Sequence, residues 1–383
     1  PVDTRILVVA DTSASHEVDP SFPAAQRAPY LSRFGRVVDW NELIWPARAQ
    51  GWDCVPGSAE ARLFASAICA APHNVTRLVL ESIHVPPAKA LARLFSAATL
   101  ELYSDGLMTY GGRAMPTSLS ARVDTLHYRD LLGGLRPRLL DHEPGLRYAP
   151  YPIALIEQFA APPPAGPDAD GSTAVILQQY LARLGLLTAA QERALTARMV
   201  EVALAQGADQ VLVKAHPANQ TRLMSHLDAR QRDRVRGFTS GASVESWLIG
   251  LPPEQRSRTT IYSGFSTGLA SALQLGARAV AVGSRELLAK LGPHNGNRPP
   301  LAICDSICDL ATLSGSTQVR PARLQLPDDG ELDLLLELLA YTDDPAGRWR
   351  NRSGLAARLA ARPGPVQERL VDYLPAAARC PQA

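Results

Sequence analysis

The chain has 383 residues, of which 46% are apolar and 20% charged, and its formal net charge is +2. That length exceeds the usual size of one hydrophobic core, and the balance suits a folded protein, so two domains are expected and global disorder is excluded. A charge this close to zero gives no case for nucleic acid as a partner, although arginine outnumbers lysine and can build local anion sites.

In chain order, Arg5-Ile6-Leu7-Val8-Val9-Ala10 reads as a buried strand that ends in the polar turn Asp11-Thr12-Ser13. A helical stretch from about Ala61 to Ala70 precedes the short apolar run Arg77-Leu78-Val79-Leu80-Glu81. Pro86-Pro87 signals a helix start, so Ala88 to Ala98 is read as helix and Thr99-Leu100-Glu101-Leu102-Tyr103 as a strand entering Ser104-Asp105-Gly106. From Ala160 to Gly171 the chain is rich in proline and small polar residues, which fits neither a helix interior nor a central strand and marks an interdomain linker. The alternation then restarts: Ala174 to Leu177 as strand, Ala189 to Gln206 as a long helix, Gln210 to Val213 as strand, and a helix beyond Thr221. Thr259 to Tyr262 and Arg278 to Val282 read as further strands, and Glu331 to Leu374 as mainly helical with a break at Asp343-Asp344-Pro345.

Strands alternating with helices are the signature of parallel α/β architecture. The expected fold is two Rossmann-like, doubly wound domains facing a cleft, with C-terminal helices. The first domain is expected over residues 1–160, the linker over 161–171, the second domain over 172–345 and a helical segment over 346–383. Ligands of such sheets gather beyond the C-terminal strand ends, where the three polar motifs of this chain are expected.

The first is Asp105-Gly106, whose carboxylate could take a proton from a hydroxyl and whose glycine allows close approach of a ligand; an ordinary Asp-Gly turn gives the same letters. The second is Lys214-Ala215-His216-Pro217. Proline biases His216 toward an extended backbone, and a strand would place Lys214 and His216 on one face, where both could meet a phosphate. The third, Ser263-Gly264-Phe265-Ser266-Thr267, precedes an apparent helix beginning near Gly268, so its hydroxyls could hold a phosphate or simply cap the helix. Glu245 lies between the second and third motifs and could accept from ribose hydroxyls, or be a solvated helical residue.

Gly264-Phe265-Ser266-Thr267-Gly268 also matches the letters of a hydrolase nucleophile elbow, with Ser266 as nucleophile, His294 as base and Asp305 as orienter, but Ser, His, Asp is not the chain order of that class. The arginines after the acid motif, Arg113, Arg122, Arg129, Arg136 and Arg138, either line a track for an anionic glycan or form solvated surface. Cys54, Cys69, Cys304, Cys308 and Cys380 are too scattered for a disulfide framework, and Cys304 and Cys308 read as small core residues rather than as metal ligands. No run approaches the roughly 20 apolar residues of a transmembrane helix, and the first residues lack the basic and apolar parts of a signal peptide, so a cytoplasmic location is expected.

Taken in order across two α/β halves, Ser104-Asp105-Gly106, His216-Pro217 and Ser266-Thr267 resemble the bacterial sialyltransferases, especially the polysialyltransferase-like family. The resemblance implies a GT-B-type glycosyltransferase that moves sialic acid or a related nonulosonic acid from a cytidine monophosphate (CMP) donor to a glycan, in surface polysaccharide synthesis. It implies Asp105 as the base on the acceptor hydroxyl and His216, Ser266 and Thr267 as ligands of the donor phosphate. Lys214, Pro217, Glu245 and Ser263 complete the expected donor site, with no metal and no cofactor beyond the CMP-sugar substrate. One departure is visible: Ser104 stands where the family has a first acid. A CMP-3-deoxy-octulosonate donor is the alternative within the same chemistry, and peripheral association with the inner membrane is compatible with it.

Overall fold

The computed structural model describes residues 5–10, 31–113, 117–157, 171–216, 233–238, 243–326, 330–343 and 352–374. The Asp11-Thr12-Ser13 turn, most of the proline-rich linker, Pro217, the helix expected beyond Thr221, Pro345 and Cys380 lie outside them. The chain divides into two compact units. The first comprises Pro1–Asp105, Ala114–Tyr128 and Leu140–Tyr151; the second comprises Gly106–Arg113, Arg129–Leu139 and Pro152–Ala383.

In the first unit, β1 (Ile6–Val9) pairs in parallel with β2 (Arg36–Asp39). A four-stranded sheet runs β3-β4-β5-β6, formed by Arg77–Leu80, Thr99–Ser104, Val123–Arg129 and Arg147–Tyr151, with β3, β4 and β5 parallel. The sequence reading missed β5, Val-Asp-Thr-Leu-His-Tyr-Arg, because polar letters interrupt its apolar ones. Those polar side chains are used internally: Glu101 on β4 is buried and its carboxylate meets Arg77 at 3.1 Å and His127 of β5 at 2.8 Å. Helix α1 (Ala59–Ile68) starts where the Ser58 hydroxyl accepts from the Ala61 N–H, and its Phe64 packs on Trp52, which meets Trp40 edge-on. Helix α2 (Ala88–Leu94) ends against Arg122, whose guanidinium donates to the carbonyls of Ala92, Phe95 and Ala98. Burial lowers the pKa of that guanidinium.

The second unit is built on a six-stranded parallel sheet in the order β12-β11-β10-β7-β8-β9. Its strands are β7 Thr173–Leu177, β8 Gln210–Lys214, β9 Val235–Gly237, β10 Thr259–Ser263, β11 Arg278–Val282 and β12 Asp309–Ala311. Numbered within the unit this is the order 3-2-1-4-5-6 of a doubly wound fold, which reverses direction between β7 and β10. All five residues of β7 are buried, as a central parallel strand requires. Helix α3 (Ala189–Ala205) follows β7 and begins in a capping box between Thr188 and Gln191. Helices α4 (Val244–Gly250), α5 (Thr267–Gln274), α6 (Arg298–Ile307), α7 (Glu331–Asp343), α8 (Arg352–Ala360) and α9 (Gly364–Asp372) complete the unit.

The chain changes unit several times, at positions the single-linker reading did not anticipate. Leu107 and Tyr110, fully buried, belong to the core of the second unit, as do Leu131 and Leu132. The Tyr110 hydroxyl donates to the Arg129 carbonyl at 3.3 Å and accepts from the Leu131 N–H at 3.0 Å, which ties the two excursions together. Helices α8 and α9, in the segment expected to be helical over 346–383, fall in the second unit.

Two arginines from the segment expected to be a track or a surface are internal cross-links of this unit. Arg129, 3% exposed, donates to the Ser271 hydroxyl at 3.0 Å; Arg138, 5% exposed, pairs with Asp333 and with Glu337 at 3.1 Å on α7. Gly112 lies against α7 so closely that a Cβ there would stand 2.7 Å from the Cα of Ala340. Gly112→Ala is therefore expected to destabilise the second unit by about 1–3 kcal/mol through overpacking, read as a lower midpoint in urea; an unchanged midpoint would show that this contact is loose.

Candidate functional site

The reversal between β7 and β10 leaves the adjoining connections running away from each other, which opens a crevice beyond the C-terminal ends of these strands. Four segments of the second unit end there. The segment Gln178-Gln179-Tyr180 leaves β7, Lys214-Ala215-His216 leaves β8, Ser263-Gly264-Phe265-Ser266-Thr267 links β10 to α5, and Ser243-Val244-Glu245 opens α4. The ends of β7 and β8 are stitched together where the Gln178 N–H donates to the Lys214 carbonyl at 3.0 Å.

Lys214 and His216 form a basic pair backed by aromatic rings. The Lys214 ammonium sits 4.8 Å above the Phe238 ring, and the His216 ring lies 4.3 Å from that of Tyr180, tilted by 43°. Burial lowers the pKa of Lys214, opposed by the charge of Glu245. Burial also lowers the pKa of His216, and the Lys214 charge adds to that effect. With its ordinary value near 6.5 depressed in this way, the imidazole is neutral at pH 7 before any anion arrives.

The hydroxyl motif divides into three roles. Ser263, expected in the donor site, is fully buried and donates to the Leu177 carbonyl at 3.1 Å, so it braces β10 against β7. Ser266 is the N-cap of α5 and accepts from the Gly268 N–H at 3.2 Å. Thr267 accepts from the Leu107 N–H at 3.1 Å, and its hydroxyl proton remains available to a second acceptor. The two glycines flanking Phe265-Ser266-Thr267 are packing requirements: a Cβ on Gly264 would stand 2.7 Å from Gln179 Oε1, and one on Gly268 would stand 2.6 Å from Leu177 Cδ1.

Glu245 is anchored rather than solvated. Its Oε1 accepts from the Ser271 hydroxyl at 3.0 Å and lies 3.9 Å from Arg129, so the buried arginine is neutralised at the floor of the site. The Thr267 carbonyl, 3.2 Å from the Ser271 hydroxyl, is an alternative acceptor for its one proton, which places Glu245 against the first turn of α5.

The acid–glycine turn straddles the division of the chain, with Asp105 the last residue of its segment in the first unit and Gly106 the first of the second. Asp105 is exposed at the end of β4. Two residues earlier, Tyr103 is raised to about 12, chiefly by burial and further by the charges of Glu81 and Asp105. Gly106 is extended, with φ −114°, so no left-handed turn requires glycine there. The packing is close, since a Cβ on Gly106 would stand 3.3 Å from Thr267 Oγ1, a contact that a shift of a few tenths of an ångström would relieve. The first and third motifs thus meet at Gly106, Leu107 and Thr267, a pairing that neither motif alone announces. Ser104 accepts through its carbonyl from the Tyr151 hydroxyl at 3.4 Å.

The hydrolase arrangement is not assembled. Asp305, 2% exposed, accepts from the Ser284 hydroxyl at 2.5 Å and from the Tyr373 hydroxyl, and faces Arg285; it orients no histidine. His294 is exposed and hydrogen-bonds neither Asp305 nor Ser266. Cys304 and Cys308 are buried free thiols in and just beyond α6, and the Cys308 thiol is pushed well up, first by its hydrogen bond with Cys304 and then by burial. Among the described residues no group of His, Cys, Asp and Glu gathers in a metal-holding arrangement, and no helix is long and apolar enough to cross a membrane.

Tyr180, Phe238, Ser271 and Arg129 were not anticipated in this site. The sequence did carry one usable signal, the polar break Gln178-Gln179-Tyr180 directly after a fully apolar central strand. Arg129 carried none, because it lies outside the alternation that marks the second sheet.

A doubly wound parallel sheet with basic side chains and a hydroxyl-capped helix after its C-terminal strand ends has the chemistry to meet an anion there. The family model described as alpha-2,8-polysialyltransferase (POLYST) matches residues 37–269, more than half of the chain, and the protein belongs to that glycosyltransferase family. The matched span contains Asp105, Lys214, His216, Pro217, Glu245, Ser266 and Thr267. No curated protein matches significantly. Among solved structures, the E. coli ADP-heptose LPS heptosyltransferase II is similar at 14% identity, covering 78% of this chain and 88% of its own, with a TM-score of 0.35. A mutant of the Thermobaculum terrenum O-GlcNAc transferase is similar at 14% identity with a TM-score of 0.34; all of this chain is covered, against 66% of that one.

The depressed pKa of His216 fixes the sign of a pH effect. Stability linked to the neutral imidazole is complete above the unfolded value near 6.5 and is lost as pH falls through the lower folded one. The wild-type protein should therefore lose more stability than His216→Gln when urea unfolding is compared at pH 7.5 and at about pH 5; equal losses would show that His216 titrates as it does in the unfolded chain.

Proposed function

We propose that this protein transfers sialic acid or a related nonulosonic acid from a CMP-activated donor to a glycan hydroxyl, with inversion at the anomeric carbon and in the synthesis of a surface polysaccharide. The observation that carries this reading is that the Lys214–His216 pair and the hydroxyl-capped start of α5 both follow C-terminal strand ends of one doubly wound sheet, in a member of the polysialyltransferase family.

In this reading the donor phosphate lies between His216, Lys214 and the first turn of α5. The helix offers backbone N–H groups, and the Thr267 hydroxyl adds a donor while accepting from Leu107. The proline after His216 in the sequence biases that residue toward an extended backbone. Glu245 uses the oxygen not engaged by Ser271 to accept from the ribose. Asp105 takes the proton of the acceptor hydroxyl as that oxygen bonds to the anomeric carbon; the bond from that carbon to the phosphate oxygen breaks, and CMP departs with the electron pair. His216 and Lys214 meet the charge that develops on the leaving phosphate. A single phosphate can be met by these protein donors, so the reaction is read as metal-independent, on a GT-B-like pair of α/β units.

CMP is expected to raise the melting temperature of the protein through preferential binding to the folded state. Asp105→Asn should keep that shift while transfer from a CMP-nonulosonate falls by about 10²–10⁴-fold. Absence of a shift with CMP would sink the donor reading, and unchanged transfer in Asp105→Asn would remove Asp105 as base. Parallel assays with CMP-sialic acid and CMP-3-deoxy-octulosonate, read by product mass, decide which donor is used.

A further inference from the structure

Tyr180 is the partner of His216 that no motif announced. Its ring lies 4.3 Å from the imidazole, centroid to centroid, at a tilt of 43°. The two rings come from neighbouring strand ends, Tyr180 from the segment after β7 and His216 from the segment after β8. Those ends are joined by the Gln178 N–H to Lys214 carbonyl bond at 3.0 Å.

The backbone beneath Tyr180 is held from the other side as well. Leu181, next in the chain, is 1% exposed, and its N–H donates at 2.6 Å to the carboxylate of Glu192, itself a buried residue of α3. The Tyr180 carbonyl accepts from the Leu184 N–H at 3.1 Å. A side chain carried on a backbone anchored at Gln178, Tyr180 and Leu181 is a fixed surface against which the His216 ring packs.

We propose that Tyr180 is the positioning residue of the donor site: its ring fixes the His216 imidazole in the orientation from which it meets the donor phosphate. This inference rests on the donor reading given above. The packing has a second consequence. Burial is the larger cause of the lowered His216 pKa, the Lys214 charge the smaller one, and Glu245 acts on Lys214 in the opposite sense. The ring that orients the imidazole thereby helps to keep it neutral until an anion enters, and the phosphate then draws a proton onto it.

The test uses the full chain and two variants, Tyr180→Phe and Tyr180→Leu. Titration of His216 by NMR in the free protein, assigned with His216→Gln, should give the same pKa in Tyr180→Phe as in the wild type. In Tyr180→Leu it should move up toward about 6.5. With CMP-nonulosonate as donor, kcat/KM for the donor should fall by about tenfold to a hundredfold in Tyr180→Leu and stay within about threefold in Tyr180→Phe, since misplacing a reacting group costs rate on that scale. KM for the acceptor should not change.

An unmoved His216 titration together with an unchanged donor kcat/KM in Tyr180→Leu would overturn the proposal. So would equal damage in Tyr180→Phe and Tyr180→Leu, which would assign the effect to the hydroxyl. CMP binding to the wild-type protein reports separately on the donor reading: if it is absent while the NMR titration still moves in Tyr180→Leu, the donor reading fails and the packing of Tyr180 on His216 stands.

Discussion

The second unit depends on one constraint, that β7 is a central parallel strand with neighbours on both sides and every residue buried. Because β8 lies to one side and β10 to the other, the connections leaving β7 and β10 must part, and the crevice they leave is where strand-end side chains can converge on a ligand. The same strand sets the local packing. Its Leu177 carbonyl takes the Ser263 hydroxyl, its Leu177 side chain excludes a Cβ at Gly268, and its exit fixes Gln178 onto β8. Ser263 and Gly268 are therefore required by the sheet before any ligand is considered.

Around this crevice the charges are arranged in compensated steps. Arg129 is buried, and a buried guanidinium left without a counter-charge is costly; Glu245 and Ser271 provide the counter-charge and the hydrogen bond. Glu245 in turn favours the charged form of Lys214, whose burial works against it. Burial lowers the pKa of both basic groups, with Glu245 opposing the shift at Lys214 and the Lys214 charge adding to the shift at His216. Arg138 follows the same rule elsewhere in the unit, held between Asp333 and Glu337 of α7. Reading such arginines as surface or as a glycan track failed because the sequence shows a positive charge but not the carboxylates, far along the chain, that make it internal.

What was legible follows from local chemistry. The apolar runs at 174–177, 210–213, 259–262 and 278–282 are continuous, as strands buried on both faces must be, and each corresponds to a strand of the second sheet. Strands β9 and β12, of three residues each, are too short to show a period, and β5 carries Asp124, Thr125, His127 and Arg129 among its apolar residues. The excursions Gly106–Arg113 and Arg129–Leu139 were invisible because their membership is decided by where Leu107, Tyr110, Leu131 and Leu132 are buried, which no local pattern encodes. Of the site, the basic pair and the hydroxyl turn were legible as polar letters ending apolar strands, but the separate duties of Ser263, Ser266 and Thr267 emerge only from their hydrogen bonds.

The Asp105-Gly106 turn gains its meaning from its second residue. An exposed aspartate at a strand end is ordinary on its own, and the extended backbone of Gly106 removes conformational necessity as the reason for glycine. What remains is the 3.3 Å approach to Thr267 Oγ1, together with the bond from the Leu107 N–H to the same oxygen. A side chain at position 106 would push against the first residue of α5, the helix whose N-terminus is the proposed phosphate site. Gly106 and Leu107 thus meet the first residue of α5 within the second unit. The bond from Leu107 gives Thr267 a structural duty that capping by Ser266 does not share.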